Sequence, residues 1–169
     1  MRPLKPELVE MPSRKMAVVT SKGDPNEVGK TVFKPLYGSV FTLKFDLKKR
    51  GLESLKVEPP RARYPDAHLV PKDQWTIHWA LPVPDDTTEL PQKEPGTTVA
   101  LETWDYGTVA HILHIGPYSE EGPTVAMLHK FIEESGCEVA GPHEEEYLTR
   151  PDAKVPKTII RYPVKKKGK

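Results

Sequence analysis

From position 32 onward the apolar residues Phe33, Leu36, Tyr37, Val40, Phe41 and Leu47, together with the stem of Lys44, recur at intervals of three and four. That spacing predicts an amphipathic helix over residues 32–50, with Pro35 in its first turn and Gly51 as its stop. The same period returns over residues 124–135, where Val125, Leu128, Phe131 and Ile132 share one side and Lys130, Glu133 and Glu134 the other. Pro123 opens this second helix and Gly136 closes it. Short apolar or β-branched runs predict strands at 15–20, 75–83, 97–104, 108–115, 143–149 and 157–162. Between the third and fourth of these, Asp105-Tyr106-Gly107 supplies turn chemistry, so the two strands read as a hairpin. Pro59, Pro60 and Pro65 leave residues 52–73 as a loop, or an edge strand near 55–57.

Strand, glycine-bearing turn, helix, glycine stop and further strands thus occur twice in the same order. The fold class this predicts is α+β: a pseudo-twofold repeat of two strand-helix-strand-strand units, with antiparallel sheet and two amphipathic helices. One domain over residues 15–164 is expected, its halves at about 15–85 and 97–164, joined through the proline-bearing connection 86–96. Residues 1–14, with Pro3, Pro6 and Pro12, read as an extended arm, and residues 165–169 as a solvated basic tail.

Composition narrows the function classes. Twenty-five Lys and Arg against twenty-four Asp and Glu give a net charge of +1 in 169 residues, so no global field points to direct nucleic-acid binding. No apolar run is long enough to span a bilayer, and the start of the chain lacks the apolar core of a signal peptide. The lone Cys137 excludes an intramolecular disulfide, and a soluble cytoplasmic protein is expected. None of the six histidines shows metal-ligand spacing, so neither metal nor cofactor is expected, and each histidine reads as a core or hydrogen-bonded residue. Phosphate loops, nucleophile elbows and zinc-binding helical histidine pairs are absent from the sequence.

Candidate chemistry sits in the run His143-Glu144-Glu145-Glu146-Tyr147. Period two puts His143, Glu145 and Tyr147 on one face of a strand, with Glu144 and Glu146 on the other. Two readings follow: a solvated edge strand, or a strand that projects Glu145 into a cavity between an imidazole and a phenol. Glu102 and Trp104 also share a face. Aromatic walls with one or two carboxylates suit a flat or cationic organic molecule, because ring faces attract cations and π-surfaces while the carboxylate fixes orientation.

The run His114-Ile-Gly-Pro-Tyr-Ser-Glu-Glu-Gly-Pro-Thr124, the helix after it, His143-Glu-Glu-Glu-Tyr-Leu-Thr-Arg-Pro151 and Pro156-Lys-Thr-Ile-Ile-Arg-Tyr-Pro-Val164 together resemble the GyrI-like small-molecule-binding domain family. The likeness extends to Lys22-Gly-Asp-Pro-Asn26, Phe41-Thr-Leu-Lys-Phe45, Trp75 and Leu101-Glu102, and so covers nearly the whole chain. It implies two strand-helix-strand-strand units enclosing a groove for hydrophobic, aromatic or cationic ligands, as in effector domains of multidrug-sensing transcription regulators. An acidic residue on the strand at 143–148 faces the ligand in that family, and matching His143, Tyr147 and Pro151 puts it at Glu145, in agreement with the alternation. The ligand contacts implied are Tyr37, Trp75, Trp104, Tyr118, His143 and Tyr147.

Stand-alone members of similar length are hydrolases of strained cyclopropane rings in DNA-alkylating natural products, and this length leaves no room for a DNA-binding helical domain. As catalytic residues the resemblance then suggests Glu145 as base, its pKa raised by burial among aromatics, with Glu102 binding the same water or stabilising positive charge. Where many stand-alone members carry two tryptophans this chain has Arg61-Ala62, which removes two stacking surfaces. The alternative implied by the family is a protein-interaction module of gyrase-inhibitor type, without small-molecule chemistry.

Overall fold

The computed structural model describes residues 5–168 apart from 54 and 151. In chain order these form β1 (Glu7–Met11), β2 (Arg14–Lys22), α1 (Pro25–Lys49), β3 (Arg61–Tyr64), β4 (Thr76–Val83), β5 (Ala100–Trp104) and β6 (Gly107–Ile115). They continue with α2 (Glu121–Glu134), β7 (Cys137–Val139), β8 (His143–Tyr147) and β9 (Lys157–Lys166). Two units result, Ser13–Asp105 in one and the segment up to Pro12 with Tyr106–Lys169 in the other.

In the unit Ser13–Asp105, α1 begins seven residues earlier than the apolar spacing predicts. Asp24 caps it, its Oδ1 accepting the Asn26 N–H at 2.8 Å, and Pro25 rather than Pro35 occupies the first turn. Pro35 lies inside the helix, where it cannot supply the N–H that the Thr31 carbonyl would otherwise receive. Its ring is buried on the same face as Val32, Leu36, Val40 and Leu43, which pack on β2 and β4.

Strands in this unit are antiparallel in the order β3-β4-β2-β5. The strand expected near 55–57 lies instead at β3, directly after Pro59-Pro60. Two consecutive prolines offer no N–H to a ladder, so pairing starts beyond them. Arg61 and Ala62 face Ala80 and Trp79 across that pairing, and both are buried. The expected hairpin between β5 and β6 does not form. β5 pairs with β2, Trp104 opposite Arg14 through Ala100 opposite Val18, because the far side of β2 is already bonded to β4 and this side was open.

The second unit repeats the order as β8-β9-β6-β1, also antiparallel, with β7 adding to the end of β9. Leaving the short β7 aside, both units are therefore strand, helix and two further strands, joined by one more strand from outside that run, and the α+β repeat is realised. Part of the expected N-terminal arm is a strand. β1 pairs with β6 from Glu7 opposite His111 to Met11 opposite Gly107, and the Glu7 carboxylate sits 2.8 Å from His111 Nε2. The expected basic tail is likewise partly structural, since Lys165 and Lys166 pair with Glu138 and Cys137.

Helix α2 follows a single 3-10 turn at Tyr118–Glu120 and starts three residues before the predicted 124. Buried His114 holds this entry, with Nδ1 2.8 Å from Thr124 Oγ1 and Nε2 3.0 Å from the Pro117 carbonyl. Leu128 and Ile132 pack on Ala110, Ile112, Ile160, Tyr162 and Val164, with Val125 and Phe131 beside them. Each fully buried aliphatic side chain of this kind contributes about 1.5–3 kcal/mol.

Candidate functional site

Register decides which way the glutamates of β8 point. Glu144 stands opposite Arg161, Glu145 opposite Ile160 and Tyr147 opposite Thr158 on β9. Directly opposed residues share a face. Ile160 and Tyr162 belong to the core under α2, so Glu145 faces α2, and alternation carries His143 and Tyr147 to that side. Both faces are nevertheless closed to water: Glu144 is 1 % and Glu145 7 % exposed. The solvated-edge reading of this strand is overturned.

On the α2 side, His143 Nε2 lies 2.6 Å from Glu145 Oε2 and its Nδ1 lies 2.7 Å from the Tyr162 hydroxyl. His143 thus donates from Nε2 to the carboxylate, and its Nδ1 shares a hydrogen bond with the Tyr162 hydroxyl. Glu121, the first residue of α2, brings a second carboxyl into hydrogen-bond contact with Glu145. Two carboxylates can bond each other only if one carries a proton. Burial, and then the charge and hydrogen bond of Glu145, push Glu121 up to about 9, so the proton resides there at neutral pH.

Burial also acts to raise Glu145, but the hydrogen bond and charge of His143, with hydrogen bonds from Glu121 and Tyr147, outweigh it and hold Glu145 below the ordinary carboxylate value. The sequence-based expectation of a raised Glu145 is thus corrected. The group with the raised pKa is Glu121. Rings surround the pair: Tyr118 and Tyr147 meet edge to face at 5.8 Å, while His129 and His143 lie 4.7 and 5.1 Å from the Tyr162 ring. Burial and the nearby glutamates push the Tyr162 hydroxyl up to about 12 and raise Tyr118 as well. His129 is lowered by burial and by His143.

The opposite face of β8 has another chemistry. Arg161 donates from Nη1 to Glu144 Oε2 at 2.6 Å and from Nη2 to Glu146 Oε1 at 2.7 Å. Tyr106 adds a hydroxyl donor to Glu144 Oε2 at 2.9 Å. Arg161 is raised: burial alone would lower it, but its two carboxylate partners overcome that. This is a closed ion network holding β8 on β9.

Of the eight site residues expected from sequence, Tyr118, His143, Glu145 and Tyr147 are gathered in this one cluster. The other four lie in the unit Ser13–Asp105. Tyr37 sits on α1 between Phe33 and Phe41, at 6.0 and 6.1 Å. Trp75 meets Tyr64 at 5.7 Å and donates its indole N–H to the Val70 carbonyl. Exposed Glu102 accepts the Trp104 indole N–H at 3.1 Å, and buried Trp104 carries the Arg63 guanidinium 4.0 Å from its ring centre. Glu121, His129 and Tyr162 were missed. Glu121 does lie in the motif 114–124, and Tyr162 shares alternation with Ile160, but only the register joins them to Glu145. Among the described residues no three His, Cys, Asp or Glu side chains are grouped to hold a metal ion. None of the helices described is long and apolar enough to cross a membrane.

The fold is shared with solved structures. A hydrolase from Listeria innocua is 28% identical, with 96% of this chain and 92% of that one covered at a TM-score of 0.81. An uncharacterized conserved protein from the same organism is 29% identical, covering 96% and 93% at a TM-score of 0.83. The C-terminal domain of EcmrR shares the fold alone, at 17% identity and a TM-score of 0.71, with 96% and 98% covered. No curated protein matches the sequence. Residues 4–165 match the GyrI-like small molecule binding domain, and the chain belongs to that family.

Proposed function

We propose that the cluster around Glu145 binds a hydrophobic, aromatic or cationic small molecule and that its two carboxyls add water to a strained, activated ring such as a cyclopropane. The observation that carries this is the buried contact between the Glu145 and Glu121 carboxyls beside Tyr118 and Tyr147, with Glu145 lowered by His143 and Glu121 raised by burial to about 9. Two carboxyls whose environments push their pKa values apart form an acid and a base at one pH.

In the proposed step Glu145 takes a proton from water as the water oxygen bonds to the ring carbon. The ring C–C bond breaks, its electron pair passes into the conjugated acceptor of the substrate, and Glu121 supplies the proton that neutralises it. His143 orients Glu145 through the 2.6 Å bond. Aromatic walls exclude competing water and offer faces to a flat or cationic substrate. The hydrolase name of the Listeria innocua relative favours this reading.

Glu145→Gln keeps size and hydrogen bonding but removes the base. Turnover of a cyclopropane-bearing compound, followed by chromatography, is expected to fall by roughly 10²–10⁴-fold while calorimetric affinity for it persists. Unchanged turnover in the variant ends the catalytic assignment. A native chain that binds without turnover leaves the binding assignment alone.

A further inference from the structure

The second carboxyl in the cluster is chemically redundant for attracting a cation. Glu145 supplies the negative charge, yet α2 opens with Glu121 against it, and among the described residues neither has a lysine or arginine partner. Glu121 Oε2 is buried with no donor directed at it. With His143 as the one basic group bonded to Glu145, the second carboxyl keeps its charge down by holding a proton.

We propose that the site exchanges this proton for its ligand: a monocation entering beside Glu145 replaces the proton shared with Glu121, which leaves to solvent as the Glu121 carboxylate forms. The inference rests on the ligand-binding reading above and adds the currency of binding, one positive charge in for one proton out. The bonds balance simply, since the Glu121 O–H is broken, its electron pair stays on the carboxylate and the proton passes to buffer. A neutral ligand would leave the pair protonated.

Every titratable group around the pair is compatible with that role. From β8 it meets His143, Glu145 and Tyr147, from β9 Tyr162, from the 3-10 turn Tyr118, and from α2 itself His129. His114 on β6 is occupied by Thr124 and Pro117. Tyr118 and Tyr162 are both raised, Tyr162 to about 12. Free Glu121 holds its proton up to about 9, so a fixed cation competes with that proton throughout the neutral range. Affinity for the cation then rises with pH, by about tenfold per pH unit at the limit of one proton exchanged.

The test is isothermal titration calorimetry of the full chain with benzyltrimethylammonium and with quaternary ammonium ions bearing more rings, none of which has a proton of its own. Titrations are run at pH 7.5 and 8.5 in buffers of different ionisation enthalpy. Expected are release of about one proton per cation bound and tighter binding at the higher pH. Glu121→Gln is expected to bind the same ions with no proton release and no pH dependence. Binding by the native chain without proton release, or equal release by the variant, overturns the exchange. If no cation binds the native chain, the cation-binding reading falls and takes the exchange with it, a result distinguishable because the heat itself is missing. Should the variant not fold, difference infrared spectra of the native chain decide. Loss of a protonated-carboxyl band on binding supports the exchange, and an unchanged band overturns it.

Discussion

The two faces of β8 carry glutamates of the same type, one residue apart and equally shut off from water, yet in opposite electrostatic states. On one face Glu144 and Glu146 both accept from the Arg161 guanidinium, with Tyr106 donating as well to Glu144. On the other, Glu145 faces Glu121 with only histidine and tyrosine for company, and the pair keeps a proton. Burial is thus not what distinguishes the two pairs of carboxyls here. The difference is whether a permanent cation is supplied: Arg161 reaches the Glu144 side, and on the Glu145 side the second carboxyl is raised instead.

That contrast can be broken most severely at Arg161. Arg161→Met strands Glu144 and Glu146 without their counter-charge, and urea unfolding is expected to register a loss of about 3–5 kcal/mol. A loss no larger than the roughly 1 kcal/mol typical of surface pairs would mean that water solvates this face after all. Tyr106→Phe removes one donor to the buried Glu144 carboxyl while retaining the ring, with an expected cost of about 1.5–3 kcal/mol and no change in ligand affinity.

The subtlest contrast appears with pH. Glu121 has a folded pKa raised from 4.5 to about 9, so the unfolded chain loses this proton first. Its contribution to stability is fully present below the ordinary value and is lost as pH rises toward about 9. Glu145, lowered from the same starting value, contributes the other way: stability present above the ordinary carboxylate range and lost as pH falls through its folded value. Melting temperatures at several pH values between 5 and 9 should therefore decline more in the native chain than in Glu121→Gln. Parallel declines would place the shared proton elsewhere.

Much of this architecture was written in local sequence. The helical periods at 33–47 and 125–132, the strand runs and their order required only residue patterns, because amphipathic spacing is fixed by helix and strand geometry. So was the separation of His143, Glu145 and Tyr147 from Glu144 and Glu146. Pro35 misled the start of α1, since a proline permitted in a first turn can also be carried inside a long, well-buried helix, and Asp24-Pro25 was the true entry signal. Partner choice was not legible. That β5 joins β2 rather than β6, and that 7–11 form a strand on β6, depends on which edges remain open once the rest of the sheet has formed.

The site divides along the same line. Sequence by itself determined that Glu145 shares a face with an imidazole and a phenol, because alternation is a local property of extended backbone. Tertiary structure alone decided that this face turns to α2, that Glu121 arrives there from 24 positions away, and that Arg161 is spent on the other side. Those are consequences of β8 pairing with β9 in one register. A shift of one residue would exchange the two faces and set Arg161 opposite Glu145.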